Sequence, residues 1–130
     1  MPETVSDAVT APLKGREFVD AALARADSPV VIFSLSWCSF CRAATQLLTQ
    51  HGIAFTEFEL DRGEFLAAPL NQEIRETLQA RTGSRTLPQV FIGGERIGGY
   101  TDLSAAVRTG HLAEMLLRHG VSSTLTAPHT

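Results

Sequence analysis

The two cysteines of the chain stand three positions apart, soon after a short apolar run. The run, VVIF at residues 30–33, is rich in β-branched side chains, which predicts a strand buried on both faces. Apolar residues then recur at helical spacing from Cys41 to His51 and predict a helix that ends before a glycine. The segment WCSFC between them therefore places Cys38 at the start of a helix, with Cys41 one turn further along the same face.

The composition is that of an ordinary globular chain: 130 residues, 44% of them apolar and 19% charged, with a net charge of −3. This length predicts a single domain with one core. The chain has no basic run or stripe, so we expect neither a nucleic-acid-binding nor a membrane-binding surface. The first 18 residues lack the pattern of a secretory signal, and the apolar run at 29–33 is too short to span a bilayer. We therefore expect a cytoplasmic protein in a reducing environment.

A reducing compartment limits the roles open to the cysteine pair. Thiols are kept reduced there, so a structural disulfide is disfavoured. A zinc site needs about four ligands. The histidines show no ligand spacing to the cysteines; they are His51, His111, His119 and His129. Two inert core cysteines remain an alternative, but we favour a redox-active pair, with no metal held within one chain.

Cys38 is predicted to be the reactive member of this pair. At a helix N-terminus, unpaired backbone N–H groups and the positive end of the helix dipole favour a thiolate. Cys41, one turn deeper, is expected to keep a high pKa and to act as the resolving thiol. The two catalytic candidates are therefore Cys38 and Cys41.

The rest of the chain alternates helices and strands. Helices are predicted at residues 15–26, 41–51, 72–81 and, with a break at Gly110, 100–120; strands are predicted at 30–33, at 53–60 and on both sides of the Gly93–Gly94 turn, and a loop at 61–71. Residues 1–12 and 121–130 are interpreted as loose tails around a domain at 13–120. This order predicts an α/β, thioredoxin-like fold, in which helices flank a four-stranded mixed sheet and the first two strands are parallel.

A second motif carries a family resemblance. Residues 85–103, RTLPQVFIGGERIGGYTDL, contain a proline before a strand, a hairpin and a G-G-x-x-D element, as glutaredoxins do. Together with WCSFC, this motif makes most of residues 29–118 resemble a dithiol glutaredoxin. The resemblance implies a glutathione-dependent thiol–disulfide oxidoreductase with glutathione as its co-substrate.

The resemblance implies glutathione-binding roles around the proline. Pro88 would be a cis-proline that faces the active site, and Leu87 would offer backbone N–H and C=O groups to the cysteinyl part of glutathione. The alternative is that these residues only begin a strand, where proline is allowed. Phe40, which stands where the family usually has tyrosine, would flank the groove with its ring.

The resemblance also implies a binding role for the start of the next helix, which Gly99, Tyr100, Thr101 and Asp102 would open. Free N–H groups there would hold the γ-glutamyl carboxylate of glutathione, and the Asp102 carboxylate would pair with its amino group. Helix capping by Thr101 and Asp102 is the alternative. Both roles can hold together.

One departure from the family pattern concerns charge. Leu35 stands where glutaredoxins generally carry a lysine that binds the glycyl carboxylate of glutathione. We hypothesise that Arg75 replaces this lysine, because a planar guanidinium suits a carboxylate. A solvated arginine on a helix face is the alternative. Arg42 and Arg85 are secondary candidates for the same positive environment.

The resemblance and the cysteine spacing together predict an enzyme. The Cys38 thiolate would attack a protein–glutathione mixed disulfide and take the glutathione, and a second glutathione would release it as the oxidised dimer. In the dithiol route Cys41 would resolve the mixed disulfide. The expected partners are glutathione and glutathionylated or disulfide-containing proteins, with the chain as a monomer.

Ser39 keeps a second function open, because it replaces the proline most common in the family. Family members with serine or glycine there bridge two chains through a 2Fe-2S cluster. Cys38 and one glutathione from each subunit would then supply the four thiolates that such a cluster requires. The alternative is therefore a dimeric cluster carrier or sensor with low reductase turnover. A third interpretation, a thioredoxin-fold protein without glutathione use, is supported by Leu35.

Overall fold

Strands and helices alternate along the chain, as the sequence predicts. The structure is a computed structural model that describes residues 14–25 and 27–125, so the predicted tail at 1–12 lies outside the described residues. The helices are α1 (14–23), α2 (Ser39–Gln50), α3 (Ala68–Thr82), α4 (Tyr100–Thr109) and α5 (His111–Arg118), with a 3₁₀ helix at Gly63–Leu66; the strands are β1 (Val30–Ser34), β2 (Thr56–Glu59), β3 (Gln89–Ile92) and β4 (Glu95–Gly98).

The four strands form one mixed sheet in the order β2-β1-β3-β4. β1 and β2 are parallel and are connected through α2, whereas β3 pairs antiparallel with both β1 and β4. The short connection between β3 and β4 is the predicted Gly93–Gly94 turn. These pairings confirm the predicted thioredoxin-like sheet and its parallel first pair.

The central strand β1 contributes to two apolar layers, because each of its residues is buried. Val30 and Ile32 pack into a cluster with side chains of α2, α4 and α5. Val31 and Phe33 pack into a second cluster with side chains of α1 and α3. Side chains alternate between the faces of a strand, so the VVIF run is buried on both faces as predicted.

The predicted loop at 61–71 is wrong at its C-terminal end. The structure begins α3 at Ala68, with Pro69 in its first turn. Proline is favoured there because its missing N–H would have no partner in the helix and its fixed φ suits a helix. The 3₁₀ helix at Gly63–Leu66 occupies another part of the same segment.

The bounds of three other elements differ from the prediction by a few residues. The structure begins α2 at Ser39 instead of Cys41, limits β2 to Thr56–Glu59 instead of 53–60, and ends α1 at residue 23 instead of 26. Ala26 itself lies outside the described residues. The shorter β2 follows the extent of its pairing with β1, since Val31 and Ser34 lie opposite its two ends.

The start of the predicted C-terminal tail packs against the core. Val121 and Leu125 contact the cluster on the α5 side, and the Thr124 N–H donates to the His51 carbonyl at 2.8 Å. Residues 121–125 are therefore not a frayed tail, because two apolar side chains and a backbone hydrogen bond hold them in place. The outer limits of the domain stay a prediction.

Gly15 brings α1 into close contact with α3, and this contact generates a stability prediction. A β-carbon at Gly15 would lie 2.6 Å from the carbonyl carbon of Glu73 and 2.8 Å from the Ile74 nitrogen. We expect Gly15→Ala to lower the free energy of unfolding by about 1–3 kcal/mol, because such overpacking outweighs the better helix propensity of alanine. Urea denaturation followed by circular dichroism measures the change. Arg16→Ala, an exposed neighbour, is the control, and equal stability of the two variants contradicts the close contact.

Candidate active site

Cys38 is the N-cap residue of α2. Its backbone is extended, and its Sγ accepts the backbone N–H of Cys41 at 3.2 Å. The sulfur thus takes the place of the side-chain oxygen of a common N-cap residue. Free N–H groups and the helix dipole favour negative charge at this position. Since the thiol is also partly exposed, Cys38 is placed to act as a nucleophile.

Cys41 has a different environment one turn into the helix. It is 1% exposed, and the backbone N–H of Leu35 donates to its Sγ at 3.4 Å. Burial, followed by the hydrogen bond with Cys38, raises the pKa of the Cys41 thiol to about 12; the charge of Glu57 adds to the same direction. Cys41 thus has the raised pKa of a buried thiol, and the site holds one partly exposed and one buried thiol.

The loop before Cys38 is held by Asp61, which lies two residues after the end of β2. The Ser36 backbone N–H donates to Asp61 Oδ1 at 3.0 Å, and the Ser36 hydroxyl donates to Oδ2 at 2.6 Å. These two hydrogen bonds, that of the hydroxyl first, lower the pKa of the Asp61 carboxyl. Asp61 thus fixes the loop from which the exposed ring of Trp37 and the Cys38 thiol project.

The proline segment lies against the reactive cysteine. The peptide bond between Leu87 and Pro88 is cis, as predicted. The Sγ of Cys38 lies 3.9 Å from the Leu87 carbonyl oxygen. This contact follows from the sheet, because β1 and β3 pair with Phe33 opposite Gln89 and so bring their adjoining loops together.

The N-terminus of α4 forms the next part of the site. Gly98 has a φ of 123°, and a β-carbon there would lie 2.8 Å from Cγ of Asp102. Glycine is needed at this position because it allows both the unusual φ and the close approach of the carboxylate. Asp102 Oδ2 accepts the Gly99 N–H at 3.2 Å, so the predicted capping contact of Asp102 is present.

These segments enclose a groove of about 210 Å³. The predicted glutathione-binding residues that line it are Phe40, Leu87, Pro88, Gly99, Tyr100, Thr101 and Asp102. The rings of Phe40 and Tyr100 both border the groove, with their centroids 6.3 Å apart. The groove therefore combines aromatic and aliphatic side chains with polar groups, among them those at the start of α4.

The basic residues that could replace the missing lysine do not line the groove. Arg75 does not line the groove; its Nε donates to Asn71 Oδ1 at 2.8 Å in the same helix. The guanidinium groups of Arg42 and Arg85 donate to the Ser36 carbonyl and to the Gln79 side chain. Leu35 packs against the α1–α3 side of the core. A glycyl-carboxylate role for Arg75 stays a prediction.

Two residues that line the groove have no role in the sequence-based prediction: Thr86 and Arg96. Thr86 directly precedes Leu87, so its place beside the proline was open to inference. Arg96 has no such signal, because an arginine on a short strand reads as an ordinary exposed residue. Asp61 was also missed, since it appeared only as the first residue of a loop.

Two further cavities differ in their chemistry. One of about 340 Å³ lies between α5 and residues 120–125 and is lined by apolar residues, glycine and serine. Another of about 150 Å³ borders Cys41, Arg42, Glu57 and Glu59. Glu57 is held there by the Ser34 hydroxyl, which donates to its Oε2 at 2.6 Å. The second cavity gives the buried thiol a polar neighbourhood.

Across 14–25 and 27–125 no helix combines the length and apolarity needed to cross a bilayer. The same stretch has no group of three or more histidine, cysteine or acidic side chains that fits a metal ion.

The sequence of this chain is similar to those of known proteins. The family model for glutaredoxin matches residues 30–97, which include both cysteines and Pro88. The chain belongs to the glutaredoxin family. A glutaredoxin from Pseudomonas aeruginosa is 39% identical over 88 residues, which make up 68% of this chain and 95% of that relative. The resemblance inferred from the two motifs is thereby confirmed.

Two further comparisons extend to other kinds of glutaredoxin. Monothiol glutaredoxin-S10 from Oryza sativa subsp. japonica is 43% identical over 91 residues, or 70% of this chain, but the match spans only 53% of that relative. The crystal structure of a buckwheat glutaredoxin–glutathione complex matches with a TM-score of 0.75 at 30% identity, over 85% of this chain and 94% of the other. The glutaredoxin described here therefore shares the fold of a solved family member along most of its length.

The burial of Cys41 predicts how its alkylation depends on pH. With a pKa of about 12, its thiolate fraction rises roughly tenfold per pH unit up to about pH 11. Modification by iodoacetamide, quantified for each cysteine by mass spectrometry, should therefore accelerate at Cys41 throughout this range. A plateau in the Cys41 rate near neutral pH contradicts the buried, protonated thiol.

Glu57→Gln provides a matched variant for this measurement. Because the variant removes a negative charge that raises the Cys41 pKa, we expect its Cys41 alkylation profile to move to lower pH. Glu64→Gln removes the same charge outside the cavity and should leave the profile in place. Identical shifts in both variants indicate a general charge effect and contradict a local one.

Proposed function

We propose that this glutaredoxin is a glutathione-dependent thiol–disulfide oxidoreductase that releases glutathione from protein–glutathione mixed disulfides. The position of Cys38 carries the proposal: its thiol caps α2, is partly exposed and lies 3.9 Å from the Leu87 carbonyl at the wall of the groove. The related buckwheat protein was determined as a complex with glutathione, which supports glutathione as the co-substrate here.

The first step transfers glutathione to the enzyme. The Cys38 thiolate attacks the glutathione sulfur of the mixed disulfide, and a new S–S bond joins Cys38 to glutathione. The sulfur of the substrate protein leaves as a thiolate and takes a proton from water. The groove holds the glutathionyl part during this exchange, which presents its sulfur to the helix N-terminus.

The second step regenerates the enzyme. The thiolate of a second glutathione attacks the glutathione sulfur of the adduct, oxidised glutathione forms, and Cys38 leaves as a thiolate. The glutathionyl group of the substrate and one free glutathione thus become one disulfide, and the substrate protein regains its thiol. Glutaredoxin potentials of about −200 to −230 mV lie near that of the glutathione pool, so the pool sets the direction.

Cys41 contributes to a slower dithiol route. In that route its thiolate attacks Cys38 of the adduct and releases glutathione, which leaves an intramolecular disulfide. Since its pKa is about 12, Cys41 is almost entirely protonated near neutral pH. Burial, the largest cause of this raised pKa, acts in the adduct as well, and an attacking thiol needs its thiolate form, so we expect free glutathione to resolve the adduct first.

Single cysteine variants test this division of roles. We expect Cys38→Ser to reduce the glutathione-dependent release of a glutathionylated peptide to the uncatalysed rate. Cys41→Ser should retain turnover within about twofold of the unsubstituted protein, because glutathione performs the resolving step. The glutathionylated peptide carries a fluorescent label, and its release measures the rate of each variant. The oxidised glutathione that forms is reduced again in a coupled reaction. Activity that depends on Cys41, or an inactive unsubstituted protein, contradicts the proposed mechanism.

A second candidate function is a dimeric carrier or sensor of a 2Fe-2S cluster, with Cys38 and one glutathione from each subunit as ligands. Ser39 in place of proline favours it, as does the single accessible thiol per chain, which is the number this arrangement uses. Visible absorbance in a dimer purified anaerobically with glutathione, lost in Cys38→Ser, supports the carrier. A colourless monomer with high turnover supports the reductase.

A further inference from the structure

Arg96 lines the groove at the end where β4 leads into α4. It borders the same space as Gly99, Thr101 and Asp102, and its side chain is exposed. The pairing of β3 with β4 shifts by one residue between Val90 and Phe91. Such a bulge bends the strand and redirects side chains near functional sites. Arg96 is thus one of the residues that border the groove, on a strand whose pairing is irregular.

The charge of Arg96 has no acidic partner in the part of the chain that the structure describes. The ion pairs found there join other residues. Glu95, the neighbour of Arg96, pairs with Arg118 at 3.4 Å. Arg96 thus keeps its donors available for a ligand in the groove.

The groove carries one positive and one negative side chain at this end. Among its described lining residues, Arg96 is the one basic residue and Asp102 the one acidic residue. Asp102 Oδ2 already accepts the Gly99 N–H, which fixes the carboxylate beside the helix N-terminus. A positive and a negative group held at one end of a groove match the two charges of an amino-acid end group.

We propose that Arg96 binds the α-carboxylate of the γ-glutamyl residue of glutathione, beside an ammonium group that pairs with Asp102. The inference rests on the proposed function, in which the groove holds the glutathionyl part while its sulfur reacts with Cys38. A guanidinium presents two parallel N–H donors that fit a carboxylate. Arg96 is then a specificity-determining residue that selects γ-glutamyl thiols over shorter ones.

The proposal separates two substrates that share the reacting disulfide. A peptide carrying glutathione offers the γ-glutamyl carboxylate, whereas the same peptide carrying cysteinylglycine lacks the whole γ-glutamyl residue. Removing the Arg96 charge should therefore weaken the binding of the glutathione peptide and leave the binding of the cysteinylglycine peptide unaffected. A general loss of positive charge near the thiol would weaken both alike.

The first half-reaction tests this difference. Release of each peptide by a single equivalent of the Cys41→Ser protein is followed over a range of peptide concentrations. The same measurement is made on Cys41→Ser proteins that also carry Arg96→Gln, Arg96→Lys or Arg108→Gln. Arg108, an exposed arginine of α4 outside the groove, is the matched control. For the glutathione peptide, we expect Arg96→Gln to raise the half-saturating concentration roughly three- to tenfold with an unchanged maximal rate. Arg96→Lys should recover part of this loss.

The outcomes are distinct. An effect of Arg96→Gln on the glutathione peptide alone, absent in Arg108→Gln, supports the inference. An unchanged half-saturating concentration, or an equal loss for both peptides, overturns it while leaving the proposed function in place. Absence of release by the parent Cys41→Ser protein overturns the proposed function and this inference together. Unfolding midpoints of the variants should agree, because Arg96 is exposed.

Discussion

The antiparallel pairing of β1 with β3 is the constraint on which the site depends. Its register sets Phe33 opposite Gln89 and so places the Cys38 thiol 3.9 Å from the Leu87 carbonyl, although these residues are 49 positions apart in the chain. A slip of one residue would turn the buried side chains of β3 to the wrong layer. The burial of apolar side chains on both faces of the sheet therefore also fixes the geometry of the groove.

The two thiols differ because one helix presents them to different surroundings. Cys38 caps the N-terminus of α2. The Cys41 N–H donates to its sulfur, which lies at the positive end of the helix dipole. Cys41 lies one turn inward against the core, where burial raises its pKa to about 12. A single turn thus separates a helix N-cap position from a buried one, and the proposed order of the exchange reactions rests on this difference.

Most of the sheet could be predicted from the sequence, because the VVIF run and the Gly93–Gly94 hairpin carry local patterns that tertiary contacts do not override. The start of α3 could not, since Pro69 fits both a loop and a first helical turn. In the site, Asp102 was singled out because the G-G-x-x-D element resembles that of glutaredoxins. Arg96 was missed because an arginine on a short strand carries no local sequence signal for a place in the groove.

Glutathione joined to Cys38 is expected to lie along the Leu87 backbone toward the N-terminus of α4. Backbone amide chemical shifts of the isotopically labelled Cys41→Ser protein, recorded before and after it forms the mixed disulfide with glutathione, test this placement most directly. We predict the largest changes at Leu87, Thr101 and Asp102. Changes concentrated at Glu57, beside the second cavity, with the α4 amides unaffected, would contradict it.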